Sequence, residues 1–292
     1  MYKDSTNNIK LYLSEFTGSG EPIRLIRRNP QIPYPLHTHD FSELVIILGG
    51  SGTHITNFSR FELLAGDVFV INGETAHGYE NPNNLHLINI LYRPELLTKN
   101  AADLTTLPGY HVLFNLEPKF REDHQFNSKL HISPRQITEI TPFIQEIEKE
   151  LKYDNPGRLF MASALFYSLL GHLCRMYSNE DVNHGRQLLR IGKAIGHLEN
   201  SLQKTVTLTE LTKLTAMSVS TLNRTFKEAT GYSPIEYHLR IRIKKASEIL
   251  CNSSFNITEI AYRTGFDDSN YFSRQFKKIM GVSPLEFRKG YF

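Results

Sequence analysis

Cysteine is scarce in this sequence, long apolar runs are missing, and neither sign of charge dominates. The only two cysteines, Cys174 and Cys251, lie far apart in apolar, helix-like contexts. They supply neither a disulfide framework nor a paired-cysteine metal site, and a reducing compartment is expected. No stretch approaches about eighteen uninterrupted apolar residues, and residues 1–8 contain nothing like the apolar core of a signal peptide. The chain is therefore expected to be cytoplasmic, with no membrane association. Nucleophile–base patterns, phosphate-binding glycine loops and paired carboxylates are also missing, which argues against an enzyme. What remains is ordinary globular protein, 40% hydrophobic, 22% charged and 11% aromatic over 292 residues. That length suits two or three domains, each with its own core.

The modest net charge of +3 hides an asymmetry. Residues 186–292 hold 17 Lys and Arg against 9 Asp and Glu, a net +8, whereas residues 1–185 hold 16 against 21, a net −5. A basic C-terminal third suits a nucleic-acid partner, although a basic helical domain can also be merely well solvated.

An internal repeat sharpens the choice. Residues 221–237 and 271–287, fifty positions apart, share seven identities in seventeen: Arg224/Arg274, Phe226/Phe276, Lys227/Lys277, Gly231/Gly281, Ser233/Ser283, Pro234/Pro284 and Glu236/Glu286. Gly231 and Gly281 can adopt the left-handed conformation that ends a helix. Each is followed by serine as N-cap, proline at the first helical position and glutamate at the third, which starts the next helix. Upstream, 208–215 reads as a short helix, 216–218 as a tight turn and about 220–229 as a second helix with Leu222 and Phe226 inward. The second copy reads alike: short helix 258–264, a turn at Gly265, and a helix over about 269–279 with Phe272 and Phe276 inward. This is helix-turn-helix spacing, and an apolar-periodic helix over about 234–250 joins the copies. Two recognition helices on such a rod could enter successive major-groove segments of double-stranded promoter DNA. The outward positions Ser220, Asn223, Arg224 and Lys227, then Ser269, Asn270, Ser273, Arg274 and Lys277, are types that bond base edges or neutralise phosphate.

The segment 257–277, ITEIAYRTGFDDSNYFSRQFK, resembles the signature of the AraC/XylS family of transcription regulators. The resemblance covers about residues 188–287. It implies a seven-helix DNA-binding domain, with base contacts from Ser220, Asn223 and Arg224 and from Ser269, Asn270, Ser273 and Arg274. It also implies an activator, with RNA polymerase as a partner. For Arg224 and Arg274 the alternative is an ion pair with a neighbouring carboxylate such as Glu228. Of Asp267 and Asp268, one is expected to cap the second recognition helix.

Residues 20–95 read as short strands (44–48, 53–58, 68–71, 85–91), separated by turns at 49–52, 65–67 and 72–73. A small β-barrel or sandwich follows. Helical periodicity then occupies 134–153 and 157–177, before the polar stretch 178–185, read as a linker. Within the β-rich part, His37, His39 and Glu43 are followed by Gly50, and Gly66 by His77, a pattern resembling the two motifs of the cupin superfamily. Asn72 and Glu74 depart from that pattern. His37, His39, Glu43 and His77 stand where cupin enzymes bind a divalent metal, and their donor atoms suit zinc, manganese, iron or nickel. Equally, such a barrel can hold a sugar on the same polar groups. His54, His86 and His111 have no distinctive spacing. Residues 37–46 and 87–93 further resemble rhamnose-responsive regulators of the AraC/XylS family.

The expected architecture is thus a cupin-like β-barrel sensor (1–130), a helical dimerisation region and linker (131–185), and an all-α DNA-binding domain (186–292). The leading expectation is a homodimeric, carbohydrate-responsive activator of transcription, with a divalent metal as a possible cofactor. Its rivals are a metal-dependent cupin enzyme fused to a DNA-binding domain, and a constitutive DNA-binding protein.

Overall fold

The computed structural model describes residues 2–3, 9–18, 21–100, 103–118, 130–178 and 183–290. It divides into two compact units, Met1–Leu189 and Arg190–Phe292.

Among the described residues, the first unit is built on nine strands: β1 Tyr2–Lys3, β2 Ile9–Leu11, β3 Ile23–Arg28, β4 Tyr34–His39, β5 Ser42–Thr56, β6 Arg60–Leu64, β7 Asp67–Ile71, β8 His77–Tyr92 and β9 Leu130–His131. They form one sheet in the order β1-β2-β4-β8-β5-β7-β9, with β3 on β8 and β6 on β5. Two long strands bend it. The start of β8 pairs with β4 and its end with β3, while β5 pairs with β7 through Glu43–Ile46 and with β6 through Ser51–Ile55. Each exchange of partner turns the sheet over the core of Val45, Ile47, Leu63, Phe69, Ile71, Leu85 and Leu87.

Strand boundaries depart from the sequence reading for one reason. Gly49–Gly52, read as a turn between two strands, lies inside β5, where the pairing with β8 shifts register three times. Gly50 has φ +72°, and a Cβ there would lie 1.9 Å from the Asn84 carbonyl oxygen. On β8, Asn81 and Asn84 carry positive φ as well. The glycines and asparagines mark bulges within continuous strands, not chain reversals.

Short helical stretches follow the sheet at Glu95–Asn100, Leu104–Thr106, Pro108–Tyr110 and His111–Leu116, and two longer helices pack on one another, Pro134–Lys152 and Arg158–Ser178. Ser133 and Gln136 form a capping box ahead of Pro134, and Ile140, Ile144, Ile147 and Leu151 make the buried stripe. By length and composition Arg158–Ser178 is apolar enough to cross a membrane, yet Phe166, Leu169, Leu170, Leu173 and Tyr177 are buried within the unit. It is a core helix. The expected linker is partly helical: Asn183, His184 and Gly185 begin the helix Asn183–Asn200, Ser178 ends the preceding one, and 179–182 lie outside the described residues.

The second unit is all-α. With Asn183–Asn200 the described residues contain the helices Leu208–Thr215, Val219–Thr230, Pro234–Asn252, Ile257–Arg263, Ser269–Met280 and Pro284–Arg288, seven in all. Gly231 and Gly281 end their helices at φ +84° and +82°, and Ser233 and Ser283 cap the next ones. Helix Pro234–Asn252 contributes Ile243, Ala246 and Leu250 to the core of the second copy, against Ile260, Phe266, Phe272 and Phe276.

Candidate functional site

The pattern of alternation in β4 puts His37 and His39 on one face, and β5 and β8 bring Glu43 and His77 to them. His37 pairs directly with His77 across β4 and β8. All four side chains are buried. The His37 and His77 rings are 4.1 Å apart and those of His39 and His77 5.1 Å, by centroid. Glu43 lies between two of them, its oxygens 3.7 Å from His39 Nε2 and 3.8 Å from His77 Nε2. The four residues named from the sequence therefore converge.

Backbone carbonyls fix the tautomers. Nδ1 of His37 donates to Pro35 (3.1 Å), Nδ1 of His39 to Phe41 (2.6 Å) and Nδ1 of His77 to Thr75 (3.2 Å). A carbonyl can only accept, so in His39 and His77 Nδ1 carries the proton and Nε2 keeps its lone pair. Burial lowers the pKa of all three, that of His39 to about 3, and pushes Glu43 up to about 8. At neutral pH the cluster is three neutral imidazoles and a protonated carboxyl, which receives the Asn89 amide at 3.2 Å. Nε2 of His39 and of His77 are buried with no hydrogen-bond partner among the described residues.

Lone pairs held this way are the donor set of a metal site, in which the second nitrogen is tied to a carbonyl. His37, Glu43 and His77 offer ligand atoms all within 4.8 Å of one another. A divalent ion fits this trio, and its charge would ionise Glu43. His39 falls outside the trio and joins only through its approach to Glu43.

A cavity of about 60 Å³ opens beside the cluster, lined by His37, Glu43 and His77 with Arg28, Gln31, Tyr34, Tyr79 and Asn89, and by the apolar Leu11, Phe16, Ile26 and Leu91. Sequence spacing missed most of these groups. It also missed His54, whose ring stacks 5.6 Å from that of His77. Only the pairing of β5 with β8 brings His54 there.

In the second unit the two recognition helices are Val219–Thr230 and Ser269–Met280. Leu222, Phe226, Phe272 and Phe276 are fully buried. Ser220, Arg224, Lys227, Asn270, Arg274 and Lys277 are exposed, and Asn223, Ser269 and Ser273 half-buried. Arg224 approaches Glu228 at 3.8 Å, whereas Arg274 has no ion pair among the described residues. The Ser273 hydroxyl donates to the Ser269 carbonyl of its own helix at 2.8 Å. Asp268 is the N-cap of the second recognition helix, accepting from the Tyr271 backbone at 2.6 Å, and Asp267 is exposed.

Residues 20–170 match the model of the AraC-like ligand binding domain, and residues 211–290 that of a helix-turn-helix domain. The chain is 30% identical to the HTH-type transcriptional activator RhaR of Mannheimia succiniciproducens, over 94% of both chains. To the activator RhaS of Escherichia coli O1:K1 / APEC it is 29% identical, over 96% of this chain and 97% of that protein. Among solved structures, the C-terminal domain of the response regulator AraT from Geobacillus stearothermophilus is 34% identical over 35% of this chain and 84% of that one, with a TM-score of 0.33.

Proposed function

This chain belongs to the AraC family of transcription regulators, and from that membership we propose that it is an activator that binds promoter DNA as a homodimer and responds to a small carbohydrate held in its barrel. The division of labour is a sensor over 1–130, a dimerising helical pair over 131–185 and a DNA-binding domain over 186–292. The observation that carries the reading is the duplicated helix-turn-helix. One copy buries Leu222 and Phe226 and the other Phe272 and Phe276, and each leaves a polar, basic helix face to solvent. Ser220, Asn223, Arg224 and Lys227 would meet one major-groove segment, and Ser269, Asn270, Ser273, Arg274 and Lys277 the next. A domain that reads DNA for an activator works in the cytoplasm beside RNA polymerase. Footprinting of the promoter it binds tests this: two pairs of adjacent protected segments are expected, one pair per protomer, and a single segment or none would overturn it.

The barrel site is the effector site in this reading. Donors, acceptors and an apolar wall in one cavity suit vicinal hydroxyls and the C–H face of a sugar. His37, Glu43 and His77 form its floor, and His39 reaches it only through Glu43. A second reading of the same floor, favoured by the unpartnered Nε2 atoms, is a divalent ion on His37, Glu43 and His77 that orients the sugar. Glu43→Gln separates the two. The neutral amide replaces a carboxyl already protonated at neutral pH, so without metal the melting temperature should shift by no more than the equivalent of about 1 kcal/mol. Any stabilisation by Zn²⁺ or Mn²⁺ should vanish. If the parent gains nothing from either ion, the cavity takes the sugar without metal.

A further inference from the structure

Among the described residues lining the barrel cavity, Arg28 is the one Lys or Arg. It stands at the exposed end of β3, where alternate positions face opposite sides. Arg27, its neighbour, turns to the helical hairpin and makes a two-pronged bridge to Glu148 at 3.0 and 3.5 Å. Arg28 has no ion pair among the described residues. Among the described lining residues the one carboxyl is that of Glu43, engaged by Asn89 and flanked by His39 and His77. An unpaired guanidinium beside a polar cavity presents a planar fork of donors matched to a carboxylate.

Resting on the reading of this cavity as the effector site, we propose that the effector is a sugar acid, a uronate or aldonate whose carboxylate is taken by Arg28. The cavity opens to solvent on one side, so a hexose can seat its inner edge there and leave the rest at the mouth. Its hydroxyls meet Asn89 and the histidine floor, its C–H face meets Ile26 and Phe16, and its carboxylate stays at the mouth. One guanidinium, with no second Lys or Arg among the described lining residues, suits a singly charged carboxylate better than a phosphate.

Calorimetry on the full chain with galacturonate, glucuronate and gluconate, against galactose, glucose, rhamnose and glucose 6-phosphate, tests this. At least one acid should bind ten times or more as tightly as its neutral counterpart. The preference should shrink in about 0.5 M salt and be lost in Arg28→Gln, whose exposed position leaves the fold intact by circular dichroism. The proposal is overturned if no acid binds, if the preference survives Arg28→Gln, or if the phosphate binds more tightly than every acid. Should a neutral sugar bind instead, and His77→Gln abolish that binding, the acid falls while the cavity remains the effector site. A neutral sugar bound undiminished by His77→Gln would remove both.

Discussion

Arg224 and Arg274 occupy the same position of the repeat but different surroundings. Arg224 lies 3.8 Å from Glu228, and Arg274 has no ion pair among the described residues. Replacement by alanine should weaken specific promoter binding by roughly 1–3 kcal/mol at either site with no change of fold. Glu228→Ala should leave binding unchanged or tighten it by releasing Arg224. Gel-shift titration decides; parental affinity in both arginine variants would mean these faces do not meet DNA. Away from DNA, His238 is buried in helix Pro234–Asn252 and bonds the Ser201 carbonyl at 3.2 Å. Burial, reinforced by Arg242, lowers its pKa to about 4. The folded value lies below the ordinary one of about 6.5, so the unfolded chain takes up the proton first. Stability is complete above about pH 6.5 and is lost as the pH falls towards 4. His238→Gln should flatten this limb in urea titrations at pH 7 and 5, and an unchanged slope would remove His238 as its source.

At the scale of elements, caps and bulges make separate predictions. Asp268 caps the second recognition helix, so Asp268→Ala should cost about 0.5–2 kcal/mol of stability in thermal melts. A variant of unchanged stability would assign that carboxylate another task. Gly50→Ala places a Cβ 1.9 Å from the Asn84 carbonyl in a left-handed conformation. The loss should exceed that of an ordinary surface change, at about 2 kcal/mol or more, because the opposing atom is backbone and cannot turn aside. The helices from Leu208 onward and the pair Pro134–Lys152 and Arg158–Ser178 were legible to within a residue or two, since Gly231, Ser233 and Pro234 act within one turn of the backbone they punctuate. The start of Asn183–Asn200 was read as linker, and the short helical stretches between Glu95 and Leu116 were not read. The β elements were legible only in part: 68–71 falls on β7, while β5 and β8 run well beyond the segments read within them. Gly49–Gly52 carries the composition of a turn, and only the opposite strand, with its own kinks at Asn81 and Asn84, makes it a bulge.

For the whole molecule, the two units have separate cores, and a different family model matches the bulk of each. A fragment of residues 183–292 should fold and bind promoter DNA without regard to any effector, while the full chain responds. Gel shifts with and without the stabilising sugar check this; an effector response in the fragment would place the sensor in the wrong unit. What the sequence determined by itself was the duplicated helix-turn-helix, its exposed polar faces, and the four residues His37, His39, Glu43 and His77 as a set. Local backbone rules and short motif spacing suffice for these. Tertiary structure alone decided that Arg28, Asn89 and His54 join that set, that His39 stands outside the tightest trio, and that His39 and His77 keep Nε2 free. Those facts depend on strand register and on carbonyls reached only after the sheet bends. A one-residue slip in pairing would turn every one of these side chains to the other face.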